Sequence, residues 1–173
     1  MFKYYIKINE NTYHAMIEYT INIDNIKEHN IILKNPIKNQ NDNYINYYKL
    51  IYSNSILNLK YLLLNLKFTQ YTVLCDTNMY KLVVHDNDPL YNKLHEIENT
   101  ILKVLQKNIN KLICIQIKDD LISREFMYKF THFPNIKQFF LKISGIWESK
   151  QEIGLVYKLY YNMSTEKLSN INC

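Results

Sequence analysis

Glycine is nearly absent from this chain, which has two glycines among 173 residues. Phosphate-binding loops of the Walker and dinucleotide types need several glycines in one short stretch, because the chain must turn tightly and approach the phosphate closely. Gly145 and Gly154 stand nine positions apart. Both loop types are therefore excluded.

Cysteine is also scarce, and Cys75, Cys114 and Cys173 are widely spaced and odd in number. This pattern indicates a reducing, intracellular setting rather than a disulfide framework. Zinc sites need Cys or His pairs at short spacing, whereas the five histidines are scattered. We therefore expect no metal and no cofactor.

Long apolar runs are missing as well. The longest, at 61–66, is far below the roughly 20 residues of a membrane span. The first nine residues are strand-like and carry no signal-peptide cleavage pattern. We expect a protein without a membrane partner, and a chain of this length is most simply one domain.

Recognisable catalytic motifs are absent too, since no Ser or Cys lies in a sequence that predicts an activated nucleophile. Asp119 and Asp120, with Glu125, form a candidate divalent-cation site for a nuclease, but adjacent carboxylates before a loop are usually solvated. The cluster at 85–88 is explained by Asp88 as a helix cap. We expect no enzyme, and the nuclease stays the weakest hypothesis.

The charge balance is modest, with 21 basic and 16 acidic residues and a formal charge of +5. This permits a polyanionic partner without demanding one. The many Asn, Ile, Lys and Tyr residues are typical of a very A+T-rich genome. The positions of lysines and tyrosines therefore carry more information than their number.

Most of the chain alternates in the manner of β-strands. Between them, the Asn-rich stretch at 35–46 is interpreted as a long mobile loop. The predicted strands lie at 2–8, 13–23, 31–33, within 47–68, at 71–75, 79–84, 111–117, 126–130 and in a hairpin over 141–161.

One helix is predicted over about 88–107. Asp88 is a suitable N-cap and Pro89 a suitable first helical residue, and Asn108 to Asn110 end the pattern. Its apolar residues recur every three or four positions and predict a packed face, namely Leu90, Leu94, Ile97, Ile101 and Leu105.

The hairpin holds both glycines and the single tryptophan, Trp147. Glycine inside a strand marks a bulge, a bend or a close approach, so strongly curved strands are expected. Regular alternation places Gly145 and Trp147 on one face with Leu141 and Ile143, and Lys142, Ser144 and Ile146 on the other. Whether Trp147 and Tyr157 fill the core or a binding groove stays open, whereas Lys142, Lys158 and Tyr160 are better surface candidates.

Many strands with one inserted helix predict a mainly β fold, specifically a partly open Greek-key barrel of the OB type. A single domain over 1–163 and a polar C-terminal tail over 164–173 are expected. Exposed strand edges would allow a homodimer, although no residue pattern specifies one.

Aromatic and basic residues alternate along the chain after the helix. Proteins that bind single strands without sequence preference combine cations along the backbone with aromatic stacking platforms. The residues in question are Lys118, Arg124, Phe126, Tyr128, Lys129, Lys137, Phe139, Phe140, Lys142, Trp147, Lys150, Tyr157, Lys158, Tyr160 and Tyr161.

The run from Phe140 to Ser149, with Gly145 two residues before Trp147, followed by Gly154 three residues before Tyr157-Lys158, resembles the closing hairpin of single-stranded DNA-binding proteins of nucleocytoplasmic large DNA viruses. Those proteins look akin to the single-strand binders of short-tailed bacteriophages. The resemblance covers about the last hundred residues, including the strand at 80–84 and the helix after it.

The resemblance implies an OB-fold in which Trp147, Tyr157 and Lys158 lie in or beside the DNA groove that Gly145 and Gly154 shape. It also implies viral replication proteins as partners and a viral replication site in the cytoplasm or nucleus of the host cell. The phage-like proteins usually end in an acidic tail that recruits enzymes, whereas residues 164–173 carry one acid and one lysine. Recruitment through the tail is therefore in doubt.

The leading hypothesis is non-catalytic, sequence-independent binding of single-stranded DNA in viral replication or repair. The alternative is an OB-like protein-interaction or virion structural module that ignores nucleic acid. The candidate binding residues are Arg124, Tyr128, Lys129, Lys142, Trp147, Tyr157, Lys158 and Tyr160.

Overall fold

The computed structural model describes residues 2–9, 12–18, 20–38, 46–69, 71–76, 79–85, 87–123, 128–129 and 135–164. Within these ranges the chain forms thirteen strands and two α-helices. They are β1 Phe2–Asn9, β2 Thr12–Glu18, β3 Ile31–Leu33, β4 Ile37–Lys38, β5 Asn46–Ser53, β6 Asn58–Leu59, β7 Leu62–Leu66, β8 Tyr71–Asp76, β9 Met79–Val84, α1 Leu90–Gln106, β10 Leu112–Ile113, α2 Ile117–Ser123, β11 Tyr128–Lys129, β12 Asn135–Glu148 and β13 Glu152–Ser164.

The predicted mainly β fold is confirmed. The largest sheet is an open, curled half-barrel with the strand order β10-β13-β12-β5-β3, to which β4, β6 and β7 add at their partners' edges. Two smaller sheets are the β1-β2 hairpin and the three strands β11-β9-β8. Only β10 and β13 pair in parallel among the named strands.

The long strand β12 organises the half-barrel. One edge pairs with β13 along almost its whole length, which confirms the predicted closing hairpin. The other edge pairs first with β7, at Phe139 to Ile143, and then with β5, at Gly145 to Glu148. The register shifts between Ile143 and Gly145, and such a bulge bends the strand and increases its twist. The bend allows β12 to pair first with β7 and then with β5 along the same edge.

The same bulge reverses which side chains face the core. Leu141 and Ile143 are buried before it, and Ile146 is buried in the same core cluster after it. Trp147 therefore lies on the opposite face of the sheet from Ile146. The predicted alternation is wrong at this point, because it counted Ser144 as an ordinary strand residue.

The predicted helix is confirmed as α1. Pro89 already has helical dihedral angles, φ −60° and ψ −18°. The Asp88 carboxylate accepts the Leu90 amide at 2.9 Å and the Thr69 amide at 2.7 Å. The predicted stripe packs onto the sheet as part of one core cluster, which includes Leu94, Ile101, Leu105, Leu50, Leu64, Leu141 and Leu155.

A second helix, α2, was not expected. The stretch at 111–117 alternates like a strand, but only Leu112 and Ile113 pair in β10 and Ile117 opens α2. The buried Glu98 of α1 accepts the amides of Gln116 and Ile117 at 3.1 and 3.3 Å. Burial raises the pKa of Glu98, and the two amide hydrogen bonds oppose that rise.

The remaining predictions have mixed outcomes. Strands are confirmed at 2–8, 31–33, 71–75 and 79–84, and the strand expected over 13–23 ends at Glu18. Within the stretch expected as a strand at 126–130, Tyr128–Lys129 pair with β9, and residues 126, 127 and 130 lie outside the described residues. Both ends of the stretch predicted as a loop belong to the sheet, because Ile37–Lys38 pair with Tyr47 and Asn46. Residues 39–45 and 165–173 lie outside the described residues.

Across the described residues, no helix combines the length and the apolar character needed to cross a membrane.

Candidate nucleic-acid interface

A groove of about 560 Å³ runs from β4 and β5 across β12 to β13 and α2. We call it the Trp147 groove. It brings together residues that are far apart in sequence, and its lining is Ile37, Lys38, Asn46, Tyr47, Gln116, Asp120, Trp147, Leu155, Val156 and Tyr157.

Two aromatic side chains of the groove lining, Trp147 and Tyr47, form an opposed pair. Trp147 of β12 and Tyr47 of β5 are directly opposed in the strand register, and both are half-buried. Side chains opposed in this way lie on the same face of a sheet. The pair therefore presents aromatic surface on the face opposite the core.

Each ring of this pair lies against a glycine. A Cβ atom at Gly154 would lie 2.4 Å from Cζ2 of Trp147, and one at Gly145 would lie 2.5 Å from Cε2 of Tyr47. Any larger residue would push the rings away from the strand. Both glycines are thus required by space, and together they seat the aromatic pair against the backbone.

Hydrogen bonds fix both the Tyr47 hydroxyl and the two residues next to Tyr47 in the chain. Its hydroxyl donates to the carbonyl oxygen of Ser144, the bulge residue, at 3.0 Å. Its chain neighbours Asn46 and Tyr48 both donate to Oε2 of Glu148, at 2.6 and 2.8 Å. Tyr47 is therefore fixed between two anchored residues.

Glu148 is the centre of a buried polar cluster. Besides Asn46 and Tyr48, Lys111 donates to Glu148 Oε1 at 2.5 Å. Burial alone raises the pKa of Glu148, but the hydrogen bonds and the Lys111 charge outweigh it and lower the pKa below its ordinary value. Burial, together with the neighbouring Glu148, raises the pKa of Tyr48 to about 12. The cluster therefore stays an ion pair with a neutral tyrosine at neutral pH.

The far end of the Trp147 groove is acidic. Asp120, in α2, accepts a hydrogen bond from the Tyr157 hydroxyl at 2.5 Å. Tyr157 itself belongs to the core side of β13, where its ring packs partly buried against the core cluster. This hydrogen bond therefore connects the core-packed Tyr157 to the Asp120 carboxylate in the groove lining.

Lysines cluster on the same face of the sheet. Lys142 and Lys158 are directly opposed across β12 and β13, and Lys49 is opposed to Gly145. Like charges directly opposed across strands destabilise a sheet. The Lys142 ammonium lies 3.8 Å from the centre of the Tyr61 ring, a cation–π contact that offsets part of the repulsion. A polyanion bound on this face would remove the rest.

The sequence-predicted site residues are only partly brought together. Trp147 and Tyr157 line the Trp147 groove, and Lys142 and Lys158 share its face of the sheet. Only the backbone is described for Tyr160 in β13 and for Tyr128 and Lys129 in β11. Arg124 lies outside the described residues.

The sequence analysis predicted only Trp147 and Tyr157 among the lining residues, and the missed ones include Lys38, Tyr47, Gln116 and Asp120. Tyr47 comes from a stretch without clear periodicity, and Gln116 and Asp120 come from the unexpected α2. A glycine beside an aromatic residue on the neighbouring strand would have indicated where Tyr47 lies. This signal can be recognised only when the strand pairing is already known. No local pattern supplies that pairing.

No protein-family profile, curated protein or solved structure matches this chain. The chemistry of the groove must therefore be judged from its own residues. Its lining offers aromatic rings for stacking, the Lys38 ammonium for an anion, the Asp120 carboxylate, and the side-chain amides of Asn46 and Gln116. Within the described part of the chain, no three His, Cys, Asp or Glu side chains come together in a way that could hold a metal ion.

Proposed function

We propose that this protein binds single-stranded DNA through the Trp147 groove, without catalysis. The observation that carries the proposal is the Trp147–Tyr47 pair, seated on two glycines and flanked by lysines on the same face. Unpaired bases stack on such rings, each stacked base contributing roughly 1–3 kcal/mol of binding free energy. The lysines neutralise phosphates, so binding weakens steeply with salt.

The curled half-barrel is consistent with an OB-fold, which binds oligonucleotides across the face of its sheet. The resemblance of the β12–β13 hairpin to single-strand binders of large DNA viruses supports the same function. We therefore propose that the protein acts in viral DNA replication or repair inside the host cell. Viral replication proteins are then its expected protein partners.

The decisive test is a titration of the protein with 20-nucleotide oligo(dT), oligo(dC) and oligo(dU), followed by the fluorescence of Trp147, the single tryptophan. We expect quenching that weakens from 50 to 300 mM salt. Tyr47→Ala should lower the affinity about tenfold, the value of one lost stacking ring. Tyr47→Phe is the control, since it keeps the ring and removes only the hydroxyl that donates to Ser144, and it should bind within about twofold of wild type. Failure of all three oligonucleotides to bind at low salt, by fluorescence and by mobility shift, would overturn the proposal.

A protein-interaction module is the second candidate function. Ile32 and Ile37 are 48% and 59% exposed, both pair with β5, and Ile37 also lines the groove. Contiguous exposed apolar surface is typical of a protein contact, and these two side chains would contribute to such a surface along β5. Stable association with a protein partner, with no response to any oligonucleotide, would favour this function.

A further inference from the structure

The Trp147 groove is not uniform along its length. At the β4–β5 end it is lined by Lys38, whereas at the α2 end it is lined by the Asp120 carboxylate. A phosphate is attracted to the first and repelled by the second. A single strand crossing the groove would therefore keep its backbone near the lysine end and direct a base toward α2.

The α2 end also carries hydrogen-bonding groups suited to a base edge. An ionised carboxylate only accepts hydrogen bonds, and its two oxygens together offer about four acceptor positions. The Tyr157 hydroxyl donates to Oδ2 of Asp120 at 2.5 Å, which holds the carboxylate in place. The exposed Gln116 side chain in the same lining can both donate and accept.

Cytosine matches this arrangement and uracil or thymine does not. The N4 amino group of cytosine donates, and carboxylates accept from it in protein–DNA complexes. Its N3 and O2 atoms accept, and the Gln116 amide can donate to them. Uracil and thymine carry O4 in place of N4, and two carbonyl oxygens flank their single N3 donor. Both carbonyls would be repelled by the carboxylate.

We infer that Asp120 is a specificity-determining residue that makes the Trp147 groove prefer cytosine over thymine and uracil. This inference rests on the proposed function, since it requires a single strand in the groove. It adds a preference among bases to binding that is otherwise independent of sequence.

The test compares 20-nucleotide oligo(dC) and oligo(dU), whose bases differ only on the edge that Asp120 would contact. Dissociation constants are measured at pH 7.5 and 50 mM salt, by Trp147 fluorescence and by mobility shift. We expect oligo(dC) to bind about tenfold more tightly, the size of one good base-edge contact. Asp120→Asn should reduce this ratio to below about twofold, both by weakening oligo(dC) and by strengthening oligo(dU).

Two further variants separate base reading from folding and from net charge. Tyr157→Phe keeps the carboxylate but removes the hydroxyl that holds it, so the ratio should fall partway. Asp119→Asn removes an equal charge from the adjacent exposed residue, which does not line the groove, and should leave the ratio unchanged. A wild-type ratio near one, or a ratio that Asp120→Asn does not change, would overturn the inference while the proposed function stands. If neither oligonucleotide binds, both fall together.

Discussion

At the scale of single residues, two contacts between a ring and a glycine shape the Trp147 groove. Neither glycine is needed for its backbone conformation, since neither has the positive φ that favours glycine. They are needed because an aromatic side chain from the neighbouring strand occupies the space that a Cβ atom would fill. The two positions differ in whether a Cβ atom would also meet backbone atoms.

Substituting each glycine by alanine tests this arrangement. In Gly154→Ala the three atoms nearest the new Cβ all belong to the Trp147 side chain, so the indole should move, the native fluorescence should change, and the unfolding free energy should fall by about 1–3 kcal/mol. Gly145→Ala also meets the backbone oxygen of Tyr48 at 2.4 Å. Because that oxygen moves only if the β5–β12 pairing shifts, the loss should be larger.

Urea unfolding and the emission spectrum of Trp147 measure both effects, and each variant serves as the control for the other. A Gly154→Ala protein with the wild-type spectrum would show that the indole does not lie on residue 154. A Gly145→Ala protein as stable as Gly154→Ala would show that the Tyr48 carbonyl is not a barrier.

The sequence analysis identified Trp147 and both glycines as important, because the scarcity of a residue type and its position can be read from the sequence alone. It could not assign Trp147 to a face of the sheet, since the face depends on the bulge at Ser144. It could not find Tyr47, since the residue becomes significant only when β5 lies next to β12, about 100 positions away. Long-range pairing decides both.

At the scale of elements, the junction of α1 and α2 depends on a buried carboxylate. Glu98 is 1% exposed and accepts both amides where α2 begins. Burial raises its pKa above the ordinary 4.5. The folded protein therefore binds this proton more tightly than the unfolded chain does.

The sign of the pH effect follows from that shift. As pH rises above about 4.5, the unfolded chain loses the proton first, so Glu98 makes an increasingly unfavourable contribution to the unfolding free energy until it ionises in the folded state too. Glu98→Gln cannot ionise. We expect the stability of Glu98→Gln, relative to wild type, to increase as pH rises from 4 to 7, as measured by urea unfolding at each pH.

Glu96→Gln is the matched control, because Glu96 lies in the same helix but is exposed. Its stability relative to wild type should vary much less over that range. A relative stability of Glu98→Gln that falls with rising pH would contradict the raised pKa.

The elements differ in how well the sequence predicted them. Helix α1 and the β12–β13 hairpin carry local signals: a cap with a regular apolar stripe in one case, alternation around a polar turn in the other. Helix α2 has seven residues, too few for a helical period, and the apolar residues before it alternate as a strand would. Its start is fixed by Glu98, about 19 positions earlier, which no local pattern indicates.

At the scale of the whole molecule, the distribution of charge matters more than the formal total of +5. Lys142 and Lys158 face each other across two strands, at some cost in stability. Such a cost is expected where a surface is suited to a ligand rather than to folding alone. Binding and stability should therefore respond in opposite directions when one lysine is removed.

Lys158→Gln should weaken oligonucleotide binding and reduce the slope of log affinity against log salt by about 0.7, the value for one phosphate on a single strand. It should also raise the unfolding free energy by a few tenths of a kcal/mol, because the like-charge pair is lost. Salt titrations and urea unfolding measure the two quantities. Lys103→Gln, at an exposed position of α1, should change neither. An unchanged slope of log affinity against log salt in Lys158→Gln would show that Lys158 does not contact a phosphate.

The divided pairing of β12 has a consequence for how the chain reaches its fold. Strands β5 and β7 supply Leu50, Leu62 and Leu64 to the core, yet their shared partner lies about 75 to 100 residues further along the chain. Closing such long loops is slow. During synthesis, the edges of β5 and β7 that pair with β12 therefore stay uncovered until β12 has left the ribosome.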